Sequence, residues 1–289
     1  MSLLEASIET LQAAMNSGSL TAVDLTQYYL DRIAAYDQKG PRLNSIRVLN
    51  DDVLKQATAM DEEHSRQGAR SMLHGIPILV KDNYETKGMP TTVGSVLFEG
   101  FAPDRDAYLI SKLKNAGALL LGKTNMQEFA YGITNVGSIH GFTRNPYDPT
   151  RNPGGSSGGT GAAVAANFAV TGLGSDTCGS IRIPAAQNNL VGLRGTQGLM
   201  SRRGIFPLSS TQDIGGPLTK SVRDLAIMLD QMIGYDAKDA QTAESFGHNF
   251  QFLANLQTRE KVRIGLLRDW MEREEGDEAV AGVIRDTLT

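Results

Sequence analysis

Residues 151–161 read RNPGGSSGGTG, which sets two adjacent serines, Ser156 and Ser157, among glycines. Glycine and serine in this proportion fit a flexible linker, and they fit equally a backbone that must turn sharply or pass close to other groups. The residues that follow favour the second reading. GAAVAANFAV at 161–170 is rich in helix-forming alanine, so the glycine run opens a helix, where the first N–H groups favour negative charge. A second glycine and serine cluster, SDTCGSIRIP at 175–184, comes one helix and one apolar segment later. Two such turns in one sheet would meet at a single site.

Upstream, IPILVKDN begins at 76 and AGALLLGKTN at 116, each a short apolar run that ends in polar groups. Between them DAYLISKLKN, 106–115, has helical spacing. Strand, helix, strand with polar residues after each run predicts an α/β sheet whose functional groups collect at the carboxyl ends of the strands. Apolar positions from Ile8 to Ile33, broken by NSGS at 16–19, predict two amphipathic helices. A third helix is expected at about 51–66, with Asp51 and Asp52 at its start. VRIGLL at 262–267 reads as one more buried strand, 248–261 as a surface connection, and DEAVAGVIRDTLT at 277–289 as a helix without a cap after it. The expected organisation is a helical region, 1–70, packed on an α/β core, 71–289, within one domain.

Two motif matches fail on physical grounds. Gly117–Thr124, GALLLGKT, has the letters of a phosphate loop, but ALLL is a strand where such a loop needs small residues with converging amides. GGSSG at 154–158 has the letters of a hydrolase nucleophile elbow, yet the preceding NPYDPTRNP is turn-rich and broken by proline. That elbow also needs a histidine after the serine, and of His64, His74, His140 and His248 only the last is downstream. One cysteine, Cys178, and scattered histidines match no zinc pattern and form no internal disulfide. A net charge of -4 without a basic run argues against direct nucleic-acid binding. AAVAANFAV at 162–170 is too short to span a bilayer, and MSLLEASIET is acidic where a secretory signal is basic, so a cytoplasmic location is expected.

Taken together, VKDN, GGSSGG and DTCGSIR resemble the amidase signature family, with likeness from HGIPILVKDN at 74 to GPLTKSVRDL near 225. The resemblance implies that family's fold, a central mixed twisted β-sheet covered by helices on both faces. It implies a catalytic lysine, Lys81, a serine after a cis peptide bond, Ser156, and a nucleophile, Ser180. It further implies an oxyanion loop at Thr177, Cys178, Gly179 and Ser180, where Cys178 replaces a usual glycine, and a bracing pair, Asp176 and Arg182. Ser157 would support the geometry, and Met126, Phe129, Ala130, Tyr131 and Gly155 would line the acyl pocket. The chemistry agrees: a serine needs a base, no suitable histidine is present, and a lysine buried after IPILV becomes neutral by desolvation. The implied reaction is hydrolysis of a small-molecule carboxylic amide with no metal or organic cofactor. One of the protein chains of the glutamyl-tRNA(Gln) amidotransferase, its A subunit, shares the signature. IPAAQNNLVGLRGTQGL and TQDIGGPL look closer to stand-alone amidases. Family members are longer, so a C-terminally truncated or non-catalytic fragment is a further expectation, and a homodimer is left open.

Overall fold

The structure is a computed structural model that describes residues 2–257, 263, 265, 267, 269 and 277–288. It divides into two compact units, Met1–Leu256 and Gln257–Thr289. The second unit contains the helix Glu278–Leu288 expected from its apolar spacing. The strand expected at 262–267 falls mainly on residues outside those described.

In the first unit, α1 (Ile8–Asn16) starts at Ser7, whose side chain accepts from Thr10 N, and α2 (Ala22–Tyr36) starts with a capping box of Thr21 and Asp24. The chain continues through β1 (Ile46–Leu49), α3 (Val53–Gln67), β2 (Pro77–Lys81), α4 (Tyr108–Asn115) and β3 (Leu119–Thr124). A small hairpin, β4 (Val136–Gly137) and β5 (Gly141–Phe142), precedes α5 (Gly158–Ala165) and β6 (Thr171–Asp176). Then come α6 (Arg182–Gln187), β7 (Val191–Gly192), β8 (Ile214–Thr219), α7 (Val222–Met232) and α8 (Phe252–Asn255). No helix among the described residues is long and apolar enough to cross a membrane.

The main sheet among the described residues has the order β1-β3-β2-β6-β8-β7. β3, β2 and β6 run parallel, while β1, β8 and β7 join through antiparallel pairs, so the sheet is mixed. Every residue of β2, β3, β6 and β8 is buried, as strands covered on both faces must be. Connection handedness explains the covering. The chain moves from β2 through α4 one place to β3, then through α5 two places back to β6, and right-handed crossovers put those helices on opposite faces. Two glycines bear this out. Gly215 pairs with Ser175, an odd number of residues from Gly172, so the two glycines face opposite sides of the sheet. A Cβ on Gly172 would meet Thr160 and Val164 of α5, whereas one on Gly215 would meet Leu109 of α4.

Two features differ from the sequence expectations. Residues 1–70 are not purely helical, because β1 pairs with β3 as an edge strand, and α1 is tied to the core where Ile8 N donates to Asp224 Oδ1 at 2.9 Å. IRVL is too short to announce itself by alternation; its pairing partner decides it. The helix expected across 161–170 ends at Ala165, since Asn167 adopts φ 58 and its Oδ1 accepts from Glu5 N at 3.0 Å. Phe168, Ala169 and Val170 then lead, buried, into β6.

The fold sets the place of the site. β2 and β6 are parallel neighbours, and the chain leaving β2 goes to α4 on one face. The chain leaving β6 goes to α6, which packs with α5 on the other. The crevice between their carboxyl ends is therefore a topological switch point, where open α/β sheets bind ligands.

Candidate active site

Lys81 ends β2 with its side chain fully buried, and its Nζ donates to Ser156 Oγ at 2.6 Å and to Ser175 Oγ at 2.9 Å. The Ser175 carbonyl accepts from the same Nζ at 3.3 Å, and Asn83 Nδ2 donates to Ser175 Oγ at 2.9 Å. Burial pushes the Lys81 ammonium down to about 7, while the charges of Asp176 and Asp213 pull it the other way. Near neutral pH this lysine therefore exchanges its proton readily. Ser175, which holds it, and Asn83, which holds Ser175, carry no signal of that role in the sequence.

The glycine run brings Ser156 to that amine. The Gly155–Ser156 peptide bond is cis. Ser156 is fully buried, and its carbonyl accepts from Gln127 N at 3.1 Å. Gly159 has a clear steric reason: a Cβ there would lie 2.1 Å from the Asn125 carbonyl oxygen, so any side chain would force the α5 N-terminus off β3. The run is thus no linker. Ser157 is also buried, donating from Oγ to the Ser175 carbonyl at 3.1 Å and accepting from Ser175 N at 3.2 Å. Its own N–H donates to the Ser180 carbonyl at 3.2 Å, which draws the loop after β6 towards the glycine run.

That loop is organised by Asp176. Its carboxylate accepts from Gly179 N at 2.8 Å, Ile181 N at 3.0 Å and Arg182 Nε at 3.1 Å. Arg194 Nε lies 3.3 Å away. Burial works to raise the Asp176 pKa, but the Arg182 hydrogen bond and the backbone donors outweigh it and hold the carboxyl below its ordinary value. Gly179 sits at φ 132, and a Cβ there would lie 2.7 Å from Ile183 Cδ1, so glycine is required. Its N–H is already committed to Asp176. Thr177, Cys178 and Ser180 keep backbone N–H groups without a protein partner among the described residues. Thr177 Oγ1 donates to Asp213 Oδ1 at 2.6 Å, and Asp213 Oδ2 accepts from Leu208 N and Ser209 N at 2.8 and 2.9 Å. Ser180 is 7% exposed, and among the described residues no hydrogen bond joins its Oγ to Ser156.

Ser180 opens onto a cavity of about 420 Å3. Of the five residues expected to line an acyl pocket, Ala130 and Tyr131 line this cavity. Met126 and Phe129 do not: Met126 is fully buried with Val93 and Ala130, and Phe129 packs against Phe98 and Phe206. Gly155 is buried behind the serines and does not line the cavity. Ile133, Leu208, Ser209 and Gln212, from two separate loops, join Thr177 and Cys178 in the lining. The phosphate-loop letters of Gly117–Thr124 fall largely on β3, where Lys123 is buried against Asp82 at 3.3 Å.

The family model described as Amidase matches residues 24–289. The chain is 44% identical over 244 residues to a glutamyl-tRNA(Gln) amidotransferase A subunit from Exiguobacterium sp., covering 84% of this chain and 50% of that one. Its structure is similar to the peptide amidase of Stenotrophomonas maltophilia, with a TM-score of 0.84 and 46% identity over 87% of this chain and 53% of that one. The corresponding amidotransferase chain of Thermotoga maritima gives a TM-score of 0.71 at 38% identity, covering 82% of this chain and 48% of that one. The chain thus spans about half the length of the curated relatives it matches. With the family model covering nearly its whole length, the chain belongs to the amidase family.

Proposed function

We propose that the chain carries the nucleophile, proton relay and base of an amide hydrolase that works through an acyl-enzyme. The observation that carries this reading is the contact of Lys81 Nζ with Ser156 Oγ at 2.6 Å, in full burial, beside the loop that bears Ser180. Ser180 Oγ attacks the amide carbonyl carbon while its proton passes to Ser156 and the Ser156 proton passes to neutral Lys81. The Ser180 hydroxyl turns to Ser156 when substrate closes the site, since catalytic hydrogen bonds tighten in the Michaelis complex. Backbone N–H groups of Thr177, Cys178 and Ser180 stabilise the oxyanion. The proton returns along the same path to the leaving nitrogen as the C–N bond breaks, and water then releases the acid by the reverse route.

The base must be neutral, so activity rises with pH. Ammonia release from a primary amide is expected to show kcat/KM climbing through a single limb near pH 7, the value to which burial brings Lys81. A profile flat between pH 5.5 and 9 in a chain that hydrolyses the amide would reject Lys81 as the base.

A second reading is favoured by the names of the curated relatives, which are amidotransferase A subunits. In it the same serines and lysine release ammonia from glutamine for a partner protein. Glutamine-specific ammonia release that appears only with companion subunits would support it.

A further inference from the structure

Resting on the amide-hydrolase reading, we propose that Lys123 and Asp82 are positioning residues for the base: they hold the turn after β2 so that Asn83 and Tyr84 set Ser175 against Lys81. Lys123 is a second fully buried lysine, and the proton relay leaves it without a part. Strand geometry puts it beneath the base. In the parallel ladder Lys123 of β3 pairs with Val80 of β2, and Asp82 N extends the ladder by donating to the Thr124 carbonyl at 3.1 Å. Side chains alternate, so Val80, Asp82 and Lys123 share one face of the sheet while Lys81 points to the other.

On that face Lys123 Nζ lies 3.3 Å from Asp82 Oδ1, with both side chains wholly buried. The ammonium also donates to the Tyr84 and Pro90 carbonyls at 2.8 and 3.3 Å and to Thr91 Oγ1 at 3.0 Å. Asp82 Oδ2 accepts from Thr92 N at 3.0 Å and from the Thr92 hydroxyl, and the Asp82 carbonyl accepts from Val93 N at 3.2 Å. The segment 82–93 is thus fastened at both ends. Inside it, Asn83 Nδ2 donates to Ser175 Oγ at 2.9 Å, and Tyr84 OH donates to the Gly174 carbonyl at 2.6 Å. Ser175 Oγ is the atom that accepts from Lys81 Nζ, so a shift of the turn moves a partner of the base itself. Stability alone gives a weak reason for the pair, because apolar residues of similar volume commonly match or exceed a buried ion pair. What they cannot supply is a donor to two backbone carbonyls of the turn.

The test follows the capture of Ser180 by a fluorophosphonate in the 289-residue chain and in its Asp82→Asn/Lys123→Met variant, which leaves no charge of the pair unpartnered. A series of probe concentrations separates the limiting rate of capture from the affinity for the probe. In the variant the limiting rate is expected to fall at least about ten-fold, since a catalytic group misplaced by about 1 Å can cost about 100-fold. The affinity and the final extent of labelling should match the parent. Asn83→Ala alone is expected to slow capture by a similar factor. The triple variant should be little slower than either, because both changes release the same contact. Capture at the parent rate in the folded pair variant, capture of a smaller fraction of molecules at the parent rate, or loss of folding would make the pair a structural element only and overturn the proposal. Losses that multiply in the triple variant would overturn it too, since the pair would then not act through Asn83. A folded parent chain whose Ser180 the fluorophosphonate does not capture would overturn the hydrolase reading itself, and the inference with it.

Discussion

Lys81→Met is expected to lower kcat for a primary amide about 1000-fold at pH 8, within the span that general-base catalysis contributes. Methionine keeps the length and apolar character of the side chain but cannot take the Ser156 proton. The loss should be chemical, not structural, because the native lysine is fully buried and its solvation cost disappears with the charge. Relief of that cost opposes the loss of the hydrogen bond to buried Ser156 Oγ, so the thermal midpoint is expected to shift only modestly. The Ser175 and Asn83 hydrogen bonds behind Lys81 remain available to each other. Steady-state kinetics beside a melting curve decides the matter: a kcat within about ten-fold of the parent in a folded variant would mean that another group accepts the proton.

Ser180→Ala should be more severe still, with kcat reduced about 10,000-fold or more, since the attacking atom itself is gone. Its stability cost is expected to stay within about 0.5 kcal/mol, the usual range for a small change away from packing and buried hydrogen bonds. The reason is local: the Ser180 hydroxyl holds no partner among the described residues, while its backbone carbonyl, which alanine retains, keeps the bond to Ser157 N. A Ser180→Ala chain that retained full turnover would remove the acyl-enzyme from the scheme and require water to be the direct nucleophile.

What the sequence made legible was chemistry packed into short motifs. Lys81 follows an apolar run that becomes a fully buried strand, Ser156 lies in the glycine run, and the two meet because β2 and α5 pack at one end of the sheet. Ser175 was invisible because its role depends on β6 lying beside β2, a pairing that no local pattern encodes. Asn83 stood two residues after Lys81, a spacing that alone does not tell a positioning amide from a turn residue. The cavity is the part least legible in the sequence. Phe129 and Tyr131 are expected in one pocket, but positive φ at Phe129 and Ala130 turns this segment so that Phe129 enters an aromatic cluster while Tyr131 reaches the cavity. Leu208 and Gln212 arrive from a loop held by Asp213, far along the chain from Tyr131. The phosphate-loop letters carry no such site because a phosphate loop needs exposed amides, and the amides of β3 are spent in strand pairing.

Burial and the Lys81–Ser156 contact should together activate Ser180 within this chain. Reacting the purified chain with a fluorophosphonate and mapping the adduct by peptide mass probes that activation at the serine itself, because an alkoxide-like serine is captured far faster than an ordinary one. A single adduct on Ser180 is expected, forming at least about 100-fold more slowly in Lys81→Met. No adduct in a folded chain, an adduct on another serine, or capture of Ser180 at the same rate without Lys81 would show that the lysine and the buried relay do not activate it.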